Sequence, residues 1–206
     1  MQLKEVYDKI AEDWSNKHQF PHPAQLITLK GWKGKILDLG CGNCINLTIF
    51  EGSELYGLDF SENMIKEAEK FCKDNEMEVL LKVGDITNTG YPDKYFDYII
   101  FSKALQHLKK KDHFKTMIEL RRILKDGGKC FIACWNKKYE DNVDKKKEAK
   151  VPWTVGDKTY ERYYYFFDEQ ELIDLIVETG FKVEEKLSEP DSKNICLVIT
   201  PFVELE

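Results

Sequence analysis

No run of the 206-residue sequence is apolar for long enough to cross a membrane. The amino terminus lacks a basic start followed by an apolar stretch, which points to a cytoplasmic protein. There is no internal repeat. The Cys41-Gly-Asn-Cys44 spacing has no second C-x-x-C to complete a four-ligand zinc site, so no metal centre is expected. The six cysteines sit mostly inside apolar runs, where a free thiol behaves as a small hydrophobe. A net charge of −6 argues against a general nucleic-acid binder. The charge is uneven, however. Residues 103–150 hold 15 Lys or Arg against 7 Asp or Glu, so one basic face is available to a polyanion.

What is present suits one compact domain with a sizeable core, since 42% of the residues are apolar and 13% aromatic. Residues 1–34 read as an N-terminal helical segment: Leu3, Val6, Tyr7, Ile10 and Trp14 recur at helical spacing, and two prolines punctuate residues 19–23. From residue 35 strands alternate with helices, the pattern of a mostly parallel sheet covered on both faces. Strands are expected at 36–39, 55–59, 78–83, 96–101, 129–135, 181–186 and 195–200, making a seven-stranded sheet. Ser61 caps a helix whose buried stripe is Met64, Ile65, Ala68 and Phe71. A helix over 111–124 is expected to close at the glycines that follow it. Residues 136–160 are lysine-rich and show no periodicity, so they read as an irregular insertion of the kind that forms a lid or binding loop.

Three acids carry the chemistry. Asp38-Leu-Gly40-Cys-Gly42 ends the first strand, where glycines let a backbone approach a ligand and a helix start would offer free N–H groups. The third position of the dinucleotide fingerprint is Ile45, and an acid precedes the first glycine by two residues. Asp59 ends the second strand, 17 residues after Gly42, where an acid takes a ribose diol. Asp85 follows the third strand, placed to accept from an adenine amino group. Singly, the glycines read as a tight turn and each Asp as a helix cap; three acids in register read as a binding site.

Together these residues resemble class I methyltransferases with a Rossmann-like fold. That resemblance implies S-adenosyl-L-methionine as donor, S-adenosyl-L-homocysteine as product, and a donor site drawn from Tyr7, Trp14, Asp38, Gly40, Gly42, Asp59, Phe60, Met64, Asp85, Ile86, Ser102 and His107. His107 also reads as an ordinary core or cap histidine.

Motifs at both ends are more specific. Val6-Tyr-Asp-Lys-Ile-Ala-Glu-Asp-Trp-Ser15, Phe20-Pro-His-Pro23, Ala133-Cys-Trp135, Val151-Pro-Trp153 and Arg162-Tyr-Tyr164 resemble the tRNA methyltransferases that esterify wobble 5-carboxymethyluridine. Where that family carries Arg, Trp and His, this chain has His18, His22 and Tyr165. The resemblance implies methyl transfer to a carboxylate in a tRNA anticodon loop, and a small zinc-binding activator protein as partner. A carboxylate is already ionised at neutral pH, so its methylation requires alignment rather than a strong base. Arg162 is the candidate to orient it, with His18 or Lys17 assisting and His107 and Trp135 completing the catalytic set; Arg162 as a surface ion-pair residue stays open. Trp135, Trp153, Tyr163 and Tyr164 offer stacking faces, and Lys137, Lys138, Lys145, Lys146, Lys147 and Lys150 offer phosphate contacts, as do Lys109, Lys110 and Lys111 on the same rim. Two other readings remain: a small-molecule methyltransferase, and a non-catalytic module that binds S-adenosylmethionine.

Overall fold

The computed structural model describes residues 1–139, 147–189 and 192–202. Its main sheet has seven strands in the order β3-β2-β1-β4-β5-β9-β8. These are β1 (Lys35–Leu39), β2 (Glu54–Asp59), β3 (Val79–Val83), β4 (Phe96–Ser102), β5 (Leu124–Trp135), β8 (Phe181–Lys186) and β9 (Asn194–Pro201). The first five pair in parallel, and β9 runs antiparallel to both of its neighbours. All seven strands coincide with expected ones to within a few residues. The central strands carry near-continuous apolar runs because both faces are covered.

One face packs Met117, Leu120 and Ile123 of α3 (Lys110–Ile123) and Leu172 and Ile176 of α4 (Glu169–Glu178). The other packs α2 (Glu62–Asp74) and the short 3-10 turns Ala24–Leu29 and Ile45–Ile49. Ser61 caps α2 by accepting a hydrogen bond from Met64 N at 3.1 Å. Its buried stripe ends in Cys72, while Phe71 is only half-buried, because position 72 continues the i, i+4 row from Ala68.

Three expectations are corrected. The glycine loop leads into a five-residue 3-10 turn, Ile45–Ile49, rather than an α-helix, so no α-helix start directly follows the loop. Residues 84–95, between β3 and β4, form no helix; they are tied down by Glu119, which accepts from Thr89 N and Oγ1 at 2.7 and 2.6 Å. Gly127, with φ +75, does not close α3, since Leu124 already pairs with Phe96 and the glycine lies in the irregular stretch before Lys129 meets Tyr98.

The largest correction concerns residues 136–160. Residues 148–165 form an antiparallel hairpin, β6 (Glu148–Val155) and β7 (Lys158–Tyr165), turning at Gly156. Ala149, Val151, Trp153 and Val155 alternate with exposed neighbours, a period of two that the lysines and Pro152 obscure in the sequence. The proline is tolerated because this is a two-stranded sheet with free edges. The hairpin lies against α1 (Leu3–Lys17): Trp153, Val155 and Tyr160 pack with Val6, Tyr7, Ile10 and Ala11. Lys145 and Lys146 lie outside the described residues.

Candidate active site

Parallel strands aim their carboxyl ends at one rim, and there a cavity of about 760 Å³ opens. Its walls include Gly40, Gly42, Asp59, Phe60, Met64, Asp85 and Ile86 from the strand ends, and Tyr7, Trp14 and His18 from α1. Ser102, His107, Trp135, Trp153, Arg162 and Tyr164 complete it. Of the expected donor-site and catalytic residues all but Asp38 and Lys17 line this cavity, and of the expected stacking aromatics all but Tyr163.

Gly40 has φ +82, and a Cβ there would lie 2.5 Å from that of Ala104; at Gly42, with φ +52, it would lie 2.9 Å from the Trp14 ring. The glycines are therefore demanded by the protein's own approach of α1 and the segment after β4, as well as by any ligand. Asp59 accepts from Gly42 N at 3.1 Å and Ser61 N at 2.9 Å, which presents it at the cavity wall, and burial pushes its carboxyl up to about 6. Asp85 Oδ1 accepts from Thr87 N at 2.7 Å. Asp38 sits behind the wall, fully buried, and neither carboxylate oxygen makes a hydrogen bond of normal geometry among the described residues; burial pushes the carboxyl up to about 8, the nearby Asn46 side chain holding it down in part and the charge of Asp59 adding to the rise.

His107 is fixed. Its Nδ1 lies 3.0 Å from the Tyr163 carbonyl, which can only accept, so Nδ1 carries the proton and Nε2 accepts from the Tyr7 hydroxyl at 2.9 Å. Burial, with Arg162 and Lys103 nearby, lowers it to about 4, leaving a neutral ring. This link joins α1, β7 and the turn after β4. Ser102 donates its hydroxyl to the His22 carbonyl at 2.9 Å.

Arg162 is buried, 6% exposed, and pairs with no carboxylate among the described residues; its Nε lacks a hydrogen-bond partner. The guanidinium lies 4.6 Å from the Trp153 ring centroid and 5.2 Å from that of Tyr164. The aromatic series continues through Tyr164 to Trp135 at 4.8 Å, and from Trp153 to His18 at 5.9 Å and on to Trp14 at 4.0 Å. Arg162 and Tyr164 share a hairpin face with their cross-strand partners Val151 and Ala149. Tyr163 and Tyr165 take the opposite face, and Tyr165 is buried against His113 and Phe167, hydrogen-bonded to Glu171 at 2.5 Å. Tyr165 therefore lies outside the cavity, whereas His18 and His22 line it. Tyr163 is not a cavity residue.

Lys103, Asn46 and Thr87 also line the cavity without having been singled out by motif. Each neighbours a named residue, and that adjacency was their only sequence signal. Lys137, Lys147 and Lys150, offered for phosphates, lie near carboxylates: Lys137 is 4.0 Å and Lys147 3.3 Å from Asp168, and Lys150 is 2.7 Å from Glu161. The cysteines are free and buried. No group of three or more metal-binding side chains occurs among the described residues.

This strand order is that of the Rossmann-like class I methyltransferase fold. Residues 37–132 match the family described as Methyltransferase domain. It is 34% identical over 139 residues to a tRNA (carboxymethyluridine(34)-5-O)-methyltransferase of Arabidopsis thaliana, covering 66% of this chain but only 33% of that protein. A protein of the same description from Schizosaccharomyces pombe is 23% identical over 211 residues, covering 89% of this chain and 90% of its own. A demethylmenaquinone methyltransferase of a Geobacillus species is 29% identical over 139 residues, covering 65% and 51%. Among solved structures, an S-adenosylmethionine-dependent methyltransferase from Clostridium acetobutylicum superimposes with TM-score 0.71 at 16% identity, covering 96% of each chain. The complex of DhpI with S-adenosylmethionine does so with TM-score 0.76 at 21% identity, covering 97% and 98%.

Proposed function

We propose that the chain transfers a methyl group from S-adenosylmethionine to the carboxylate of wobble 5-carboxymethyluridine in tRNA, forming the methyl ester and S-adenosylhomocysteine. The observation that carries the acceptor is Arg162, a buried cation without a carboxylate partner among the described residues, held between two aromatic rings on the cavity wall. A buried charge left unpaired is costly, so an anionic ligand that enters and pairs with it gains the energy the folded chain forgoes.

The donor fits the other walls. Asp59, a buried carboxylate on the cavity wall, suits a ribose diol, Asp85 on the same wall suits an adenine amino group, and Asp38, directly before the glycine loop but behind the wall, is the carboxyl that a nearby ammonium would draw into its ionised form. When bound, S-adenosylmethionine supplies an electrophilic methyl group on its sulfonium. The protein aligns the acceptor oxygen with it: Arg162 engages the carboxylate, the ring stacks among Trp153, Tyr164 and Trp135, and α1 with the hairpin excludes water. No proton has to be removed, which suits a site whose His107 is neutral and has both nitrogens occupied.

Following the same resemblance, a small zinc-binding activator would partner the chain. Leu80, 60% exposed on the edge strand β3, is an apolar side chain that a covering protein would bury.

One observation favours a small-molecule acceptor instead. Several lysines of the expected phosphate-binding stretch are paired with Asp168, Glu171 and Glu161. Labelled S-adenosylmethionine is therefore to be incubated with tRNA bearing or lacking carboxymethyluridine, with and without the activator. Ester formation only on the carboxymethylated tRNA is expected, and label transfer indifferent to that group overturns the proposal.

A further inference from the structure

We propose that His18 selects the acceptor by accepting, at Nε2, a hydrogen bond from an N–H of the acceptor ring, which in uracil is the imide N3–H. The proposal rests on the reading of the acceptor as carboxymethyluridine and deepens it.

The geometry leaves His18 one role. Its Nδ1 lies 2.8 Å from the Trp14 carbonyl, and a carbonyl accepts only, so the proton of the neutral ring is on Nδ1 and Nε2 is a bare acceptor. No described residue satisfies Nε2, and the ring lines the cavity. It is held by stacking on Trp14 at 4.0 Å and 14° and against Trp153 at 5.9 Å and 25°; turning the ring over would break the bond to Trp14.

The groups around it keep it neutral. Burial lowers the ring's proton affinity, and Arg162 on β7, Lys103 after β4 and Lys17 on α1 add to that lowering. The nearby carboxylate, Asp13, is engaged with Lys17 and with Trp153 Nε1, both at 2.8 Å. His22, also on the cavity wall, is likewise lowered. The wall thus offers a cation at Arg162 and an acceptor at His18, the complement of a ring that bears a carboxylate and an N–H.

The test uses the full chain with S-adenosylhomocysteine bound. Affinities for 5-carboxymethyluridine and its N3-methyl derivative are measured by calorimetry at pH 7.5, for wild type, His18→Gln and His18→Arg. Wild type should prefer the unmethylated nucleoside by roughly tenfold or more. His18→Gln, which keeps an acceptor, should retain most of that preference. His18→Arg should lose it while its affinity for S-adenosylhomocysteine stays within about twofold of wild type, a pattern that a merely structural role does not produce. Wild-type protein that binds both nucleosides equally, or His18→Arg that keeps the preference, overturns the role of His18. Binding of neither nucleoside overturns the acceptor reading itself.

Discussion

At the scale of the residue, two buried ionisable groups, Arg162 on the cavity wall and Asp38 behind it, have no ionic partner among the described residues. Arg162→Ala removes a cation that the fold does not need for pairing, so methyl transfer to carboxymethyluridine should fall by roughly 100-fold or more in kcat/KM, the effect of losing a charged hydrogen bond of about 3 kcal/mol. Affinity for S-adenosylhomocysteine should stay within about twofold by calorimetry, and equal loss of both would assign Arg162 to the donor. Asp38 bears on stability. Its carboxyl is raised to about 8 by burial in the folded chain against 3.8 for the free side chain, so the ligand-free protein is favoured at low pH and loses stability as pH rises through 8. Asp38→Asn removes that ionisation. The variant should melt several degrees above wild type at pH 8.5 without ligand, at about 2–4 °C per kcal/mol for a chain of this size, and converge with it near pH 4. Its affinity for S-adenosylhomocysteine should drop. A midpoint lower than wild type at pH 8.5 would show that the carboxylate is satisfied in the folded state.

At the scale of the element, segments without regular structure depend on single side chains. Residues 84–95 carry Asp85 and Ile86 to the cavity although no helix supports them, and Glu119 on α3 holds them through Thr89 while pairing with Arg122 at 2.8 Å. Burial alone would raise the Glu119 carboxyl, but hydrogen bonds from Arg122 and Thr89 outweigh it and hold the group near 2. Its contribution is therefore present above pH 4.5 and lost as pH falls through about 2. Glu119→Gln should cost about 1–3 kcal/mol in denaturant unfolding at pH 7 and weaken the adenine side of the donor site. An unchanged midpoint and donor affinity would remove Glu119 from this role. Elements also mark where sequence reasoning held. Strands β1, β2, β4 and β9 were legible because buried strands leave apolar runs bounded by glycine and polar residues. The hairpin was not, because its alternation is of half-buried residues among lysines with a proline inside. The helix expected after the glycine loop failed for a different cause: the chain between β1 and β2 is short and closes in a 3-10 turn.

At the scale of the whole molecule, the basic stretch divides into paired and unpaired lysines. Lys109 and Lys111, at the start of α3, have no carboxylate partner among the described residues, whereas Lys110 lies 3.4 Å from Glu171. If tRNA is held on this rim, Lys109→Ala with Lys111→Ala should weaken its binding uniformly across sequences and lower the salt dependence by about one charge per lost contact. A salt slope unchanged in the double variant would move the phosphate contacts elsewhere, and a wild-type slope near zero would favour a small acceptor. The sequence by itself determined the sheet, the glycine loop and the placing of Asp38, Asp59 and Asp85 at strand ends, because strand burial and tight turns impose local residue types. The tertiary structure alone decided that Asp38 lies behind the wall and that Tyr165 faces away from it. It also brought His18, Trp153 and Arg162 into one aromatic and cationic wall, though residues 18 and 162 are far apart in the chain. Side chains that meet only when a helix closes on a hairpin leave no spacing in the sequence, since their register is set by packing across the cavity and not along the backbone.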